Sequence, residues 1–228
     1  MAETIIERYQ MVQKRIQKAC TKYHRDPKDI QLLAVSKTKP IEDIQQVAQT
    51  GQHCFGENYV QEAIEKITAL PQLEWHFIGP IQSNKTKHIA AELDWVHSVD
   101  RLKIAQRLND QRPKNKAPLN ILLEVNVDNE TSKSGFEFDA VEEAAHAIQN
   151  MPKLRLRGLM AIPQRTNSFD EQRKPFAALR QLMNELNKNH PNWELDTLSM
   201  GMSADLEAAI AEGATIIRIG TDIFGARQ

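Results

Sequence analysis

From Ile30 onward, short apolar runs alternate with stretches of helix length, and this alternation constrains the fold more than any other feature of the chain. Strand-like segments fall near residues 30–36, 52–56, 73–79, 94–98, 119–127, 154–162, 195–200 and 215–219. Helix-like segments lie between them, at 41–50, 58–69, 84–92, 101–110, 138–149, 168–188 and 204–212. A strand that is followed by a helix and then a further strand returns to the same end of the sheet, so the pattern builds a parallel sheet. Eight such units in 228 residues point to one α/β domain, a (β/α)8 TIM barrel spanning residues 1–228. A doubly wound open sheet is the alternative, but no G-x-G-x-x-G turn follows the first strand. Ahead of the barrel, Ile5, Tyr9, Val12, Ile16, Ala19 and Tyr23 recur at helical spacing until Asp26-Pro27. Residues 1–27 therefore read as an extra N-terminal helix covering the core.

Composition excludes several classes of function. A formal net charge of -1 gives no overall attraction to nucleic acid or to an acidic membrane. No apolar run reaches the length of a membrane span. The start, MAETIIERYQ, lacks the basic and apolar regions of a signal peptide, so the expected location is cytoplasmic. Cys20 and Cys54 are too few for a disulfide scaffold and form no CxxC pair. With no strong apolar helix face left over, a monomer is expected.

Barrel enzymes and binding proteins work at the carboxyl ends of their strands. The first strand runs into Ser36 and Lys37, with Pro40 placed where a helix can begin. Burial there would lower the lysine pKa and leave a neutral amine able to condense with an aldehyde. Reaching out to solvent is the plainer role for such a lysine. The ends of strands seven and eight carry Gly201, Ser203, Gly220 and Thr221, where the backbone can approach an anion closely and hydroxyls can donate to it. The helix after Ser203 would aim its N-terminus at the same place. Ser203 could equally be an ordinary N-cap.

A reactive lysine, a phosphate cradle and Arg218 in a strand together suggest pyridoxal 5'-phosphate, held as a Schiff base on Lys37. Arg218 would face the pyridine nitrogen. A permanently charged arginine leaves that ring a weaker electron sink than an aspartate would. Asn58 and Asn84 could touch the ring hydroxyl or cap the helices that follow them. Met160 reads as packing, with the ring face as a possible contact. His76 is more readily a satisfied core histidine than a ligand. Glu57 has no companions at metal-ligand spacing, and no HExxH, Cys/His cluster or Walker loop is present, so no metal is expected.

The segments AVSKTKP (34–40), FGENYVQE (55–62), WHFIGPIQSNK (75–85), KSGF (133–136), LRGLMAIP (156–163), LSMGMSADLEAAI (198–210) and IRIGTDIFG (217–225) together resemble the YggS/PROSC family. These are pyridoxal phosphate homeostasis proteins, similar to the N-terminal barrel of alanine racemase. The resemblance runs from about Ile30 to the end of the chain. It implies cofactor on Lys37, phosphate contacts at Ser203, Gly220 and Thr221, Arg218 at the pyridine nitrogen, and Asn58 and Met160 lining the pocket.

Alanine racemase adds a second domain with a catalytic tyrosine opposite the lysine. The chain here ends just past the eighth strand, and its tyrosines, Tyr9, Tyr23 and Tyr59, are not placed for that role. The expectation is a non-catalytic carrier or buffer with no catalytic residues, in vitamin B6 homeostasis. A single-domain racemase and a lysine-dependent aldolase are the enzymatic alternatives. Delivery of cofactor to apo-enzymes would use charged loops bearing Lys85, Lys87, Asp128, Glu130 and Lys133, and Lys39 and Lys85 could form a second holding site.

Overall fold

Strands of a closed parallel barrel are covered on both faces, so they read as nearly continuous apolar runs. Leu32 to Val35 illustrate this, with all four side chains buried. The structure is a computed structural model that describes residues 3–128 and 134–226. Its eight strands are β1 (Gln31–Val35), β2 (Cys54–Glu57), β3 (Glu74–Phe77), β4 (Trp95–Val99), β5 (Leu119–Glu124), β6 (Leu154–Met160), β7 (Thr197–Ser199) and β8 (Ile216–Ile219). They pair in chain order, all parallel, and β8 returns to β1 in a register that runs from Gln31 opposite Ile216 to Ala34 opposite Ile219. The barrel is closed, as the alternation predicts.

The crossovers are α2 (Ile41–Ala48), α3 (Val60–Ala69), α4 (Thr86–Glu92), α5 (Leu102–Gln111), α6 (Val141–Gln149), α7 (Phe169–Asn189) and α8 (Leu206–Ala211). The cover helix α1 (Ile5–Lys22) begins with a capping box, in which Thr4 Oγ1 accepts from the Glu7 N–H and the Glu7 carboxylate accepts from the Thr4 N–H. Arg8 and Arg25 tie this helix to the last two units, donating to the carbonyls of Ile223, Ile210 and Ala214. The main apolar core lies between the strands and the helices. Inside the barrel, Trp95, Leu122 and Met160 make a small separate cluster.

Three local expectations are corrected. A short helix, α9 (Thr221–Phe224), follows β8, which the sequence pattern leaves without one. Helix α8 begins at Leu206 rather than 204, because the Asp205 carboxylate accepts from the Met202 N–H and holds 203–205 in a turn. Strand β5 stops at Glu124 rather than 127. Beyond it Phe136 folds back, its N–H donating to the Glu124 carbonyl and its carbonyl accepting from Asn126.

Candidate functional site

Closure of β8 onto β1 brings the first and last strand ends together at the barrel mouth. Gly220 lies so close to β1 that a Cβ there would stand 3.2 Å from the Val35 carbonyl oxygen. Lys37 follows two residues after that carbonyl, in the turn between β1 and α2. It is half-buried rather than fully desolvated.

The fully buried lysine of this region is Lys66 on α3, which the sequence reading passes over. Its ammonium donates to the Ser36 carbonyl at 2.7 Å, to Glu57 at 2.8 Å and to Glu62 at 2.6 Å. Ser36 Oγ donates to the same Glu57 oxygen at 2.6 Å. Glu62 also accepts from the Thr38 N–H at 2.6 Å. The residues on either side of Lys37 are thus held by one lysine and two glutamates. Thr38 needs that hold, since its φ of +63° is left-handed, a region costly for a β-branched residue. Burial pushes the Glu57 carboxyl up, and Lys66 and Ser36 oppose that shift. The signal in the sequence was a lysine three residues after Ala63, on the inward face of α3.

The second glycine-bearing edge is the loop after β7. Gly201 has φ +94°, and a Cβ would meet that of Ala209 at 2.5 Å, so no other residue fits without displacing α8. Ser203 is half-buried and lies in the turn that precedes α8, so it is not that helix's N-cap. Its carbonyl accepts from Arg15 of α1, which also pairs with Asp222. Thr221 is exposed at the start of α9, with Gly220 at that helix's N-cap. The cover helix therefore fixes both loops from outside the barrel.

Arg218 points into the barrel and is 4% exposed. It donates to the Ser199 carbonyl at 2.7 Å, to Ser199 Oγ at 2.6 Å and to the Ala161 carbonyl at 3.0 Å. Among the described residues no carboxylate pairs with it directly. Burial pulls its pKa down to about 10, with Asp205 and Glu124 opposing, so it stays charged at neutral pH. Glu124, at the end of β5, is pushed up to about 7 by burial, with Asp100 adding and Arg218 opposing.

From Ser199 a line of buried groups continues down the barrel axis. Ser199 Oγ lies 2.8 Å from His97 Nδ1, His97 Nε2 lies 2.8 Å from His76 Nδ1, and His76 Nε2 lies 2.8 Å from Glu74. Burial holds both imidazoles below their ordinary pKa. One proton arrangement satisfies every member. Arg218 donates to Ser199, Ser199 to His97, His97 to His76 and His76 to the Glu74 carboxylate. His76 is therefore a bonded interior residue, and His97, its partner on β4, went unremarked in the sequence.

The other predicted positions separate clearly. Asn58, after β2, has a buried side-chain oxygen with no hydrogen-bond partner. Met160 is 1% exposed and packs on Trp95 and Leu122 inside the barrel. Asn84 is exposed in the turn before α4, and Lys85 and Lys87 are exposed beside it. Lys39 donates to the Ala226 carbonyl at 2.9 Å. Asp128 accepts from the Gln164 N–H. Glu130 and Lys133 lie outside the described residues.

The alanine racemase N-terminal domain family matches residues 9–228. A pyridoxal phosphate homeostasis protein of Pseudomonas aeruginosa is 54% identical over 227 residues, which cover 99% of this chain and 96% of the relative. The chain belongs to the pyridoxal phosphate homeostasis protein family. A solved structure, PipY of Synechococcus elongatus with PLP bound, is 35% identical and superimposes with a TM-score of 0.80 over 92% of this chain and 99% of its own. Alanine racemase from Corynebacterium glutamicum shares the barrel, with a TM-score of 0.71 at 14% identity over 96% of this chain and 60% of that enzyme. Family membership, anticipated from the motifs, and the (β/α)8 barrel, anticipated from the strand–helix alternation, are both established.

Proposed function

We propose that this chain binds pyridoxal 5'-phosphate at the barrel mouth and serves in its homeostasis as a holder rather than as a turnover enzyme. One observation carries the reading: a buried guanidinium, bonded to carbonyls and a hydroxyl, lies in the strand that leads into the Gly220–Thr221 edge beside Lys37. The PLP-bound relative supports it. The residues fit the group, since the unpartnered Asn58 oxygen offers a polar contact and Gly220, packed against the Val35 carbonyl, brings the Thr221 edge close to the strand that leads into Lys37. When bound, the cofactor would supply an aldehyde able to condense with the Lys37 amine.

The remaining roles belong to the chain. Ser203, Gly220 and Thr221 bind the phosphate, and Arg15 keeps the Ser203 loop in place. Asn58 and Met160 line the pocket. Arg218 would face the pyridine nitrogen, and its fixed positive charge would disfavour a proton there and so weaken the ring as an electron sink. Tyr9 and Tyr23 use their hydroxyls on Gln52 and Glu207. Tyr59 follows β2, the immediate neighbour of the Lys37 strand, and is not opposite it. These placements favour holding over racemisation.

Absorbance of the protein with added pyridoxal phosphate, before and after borohydride, tests the reading against Lys37→Ala. A bound chromophore that borohydride converts to a stable adduct in wild type and not in the variant is expected. Identical spectra would overturn it, and inversion of an amino acid by the wild type would return the racemase alternative.

A further inference from the structure

At the end of the barrel opposite the mouth, β2 and β3 begin with Cys54 and Glu74, which are direct partners in the strand register. His76 lies two residues beyond Glu74 on the same face of β3. Cys54 Sγ is 3.2 Å from Glu74 Oε1, which is 2.8 Å from His76 Nε2, and the three ligand atoms all fall within 4.8 Å of one another. A tetrahedral zinc site separates such atoms by about 3.3–3.8 Å, given metal–ligand bonds near 2.0–2.3 Å. The Cys54–Glu74 and Glu74–His76 pairs therefore need to open by only a fraction of an ångström to admit an ion.

We propose that Cys54, Glu74 and His76 form a binding site for a zinc-class divalent transition-metal ion. Thiolate, carboxylate and imidazole together select for that class over magnesium or calcium. The second shell is already built. A metal-bound His76 Nε2 places the ring proton on Nδ1, and His97 Nε2 stands 2.8 Å away to accept it. Ser199, with two lone pairs, then accepts from both His97 and Arg218. The Gln31 amide donates to Cys54 Sγ at 2.8 Å and to Glu74 Oε1 at 3.3 Å, an outer contact shared by two of the ligands. Access is open, since Cys54 is only partly buried and the Glu74 side chain is 40% exposed. Binding exchanges the thiol proton for the metal bond, and that proton leaves to solvent. Nearby Arg157 is paired with Asp196 and stacked on Trp95, so its charge is engaged elsewhere.

The test titrates the purified chain with Co2+, without added pyridoxal phosphate and in a phosphine reductant, following thiolate-to-cobalt charge-transfer absorption. One equivalent should develop the band, and Zn2+ should bleach it by displacement. Cys54→Ser should abolish the band and Cys20→Ser should leave it. Glu74→Gln, on a half-exposed side chain, should weaken Co2+ binding by about ten-fold or more. Far-UV circular dichroism verifies that each variant is folded. Metal uptake without the band, a band that survives Cys54→Ser, or unchanged affinity in folded Glu74→Gln overturns the site. The readout is independent of cofactor, so it separates from any failure at Lys37.

Discussion

Lys66 Nζ donates to the carbonyl oxygen of Ser36 at 2.7 Å, which fastens helix α3 to the residue immediately before Lys37. The same ammonium bridges Glu57 and Glu62, and both lysine and Glu57 are almost entirely removed from water. Replacing Lys66 with Met strands the Glu57 carboxyl in the interior. Removing one partner of a buried pair costs about 3–5 kcal/mol, and urea denaturation should show a loss of that order. Adding Glu57→Gln should recover part of it, because a neutral side chain replaces the stranded acid. Equal stability of Lys66→Met and wild type would contradict the coupling.

Thr38 holds a left-handed backbone beside Lys37. Asparagine tolerates that region far better than a β-branched residue. Thr38→Asn should therefore stabilise the fold by roughly 1 kcal/mol. The expected signature is a higher urea midpoint at unchanged slope. A lower midpoint would mean that the threonine side chain contributes more than its backbone costs.

Gly201→Ala adds a Cβ 2.5 Å from that of Ala209 and keeps a positive φ. A cost of about 1–3 kcal/mol follows from strain and overpacking. The displaced loop carries Ser203, so pyridoxal phosphate should also bind more weakly in equilibrium dialysis. Ala209→Gly in the same chain should relieve the clash and restore part of both losses.

Glu124 gives a pH dependence with a defined sign. Its folded pKa of about 7 stands above the ordinary 4.5, so the native state keeps the proton while the unfolded chain has lost it. The unfolded state binds fewer protons across that interval, and stability falls as pH rises from about 4.5 to about 7. Glu124→Gln should flatten this part of the curve, measured by urea midpoints at successive pH values. Parallel curves for the two proteins would place the titration elsewhere.

Much of this architecture is written in local pattern. Apolar runs such as Leu32–Val35 and amphipathic stretches such as the one holding Phe176, Leu179, Met183 and Leu186 report their own burial, because period and burial are properties of neighbouring residues. Eight alternations then leave little choice but a closed parallel barrel. Closure puts every strand's carboxyl end at one mouth, so Lys37, Asn58, Ser203, Gly220 and Thr221, each placed after a strand by the pattern, share one end of the barrel. Helix starts were less legible, as Asp205 shows, since one side-chain hydrogen bond to Met202 shifts the first turn of α8.

Which interior side chains meet follows from how distant strands and helices are brought together. Lys66 finds Glu57 and Ser36 because α3 packs over β2 and β3 and its lysine reaches across to the end of β1, and no spacing along the chain encodes that contact. His76 and His97 are separated by 21 residues, and His97 and Ser199 by 102. Cys54 stands beside Glu74 solely through the register of β2 against β3. A side chain turned into the barrel takes its partners from other strands, fixed by register, tilt and closure. Local pattern was enough for the barrel and for the residues that end its strands; the line of polar groups through its interior arose when the sheet closed.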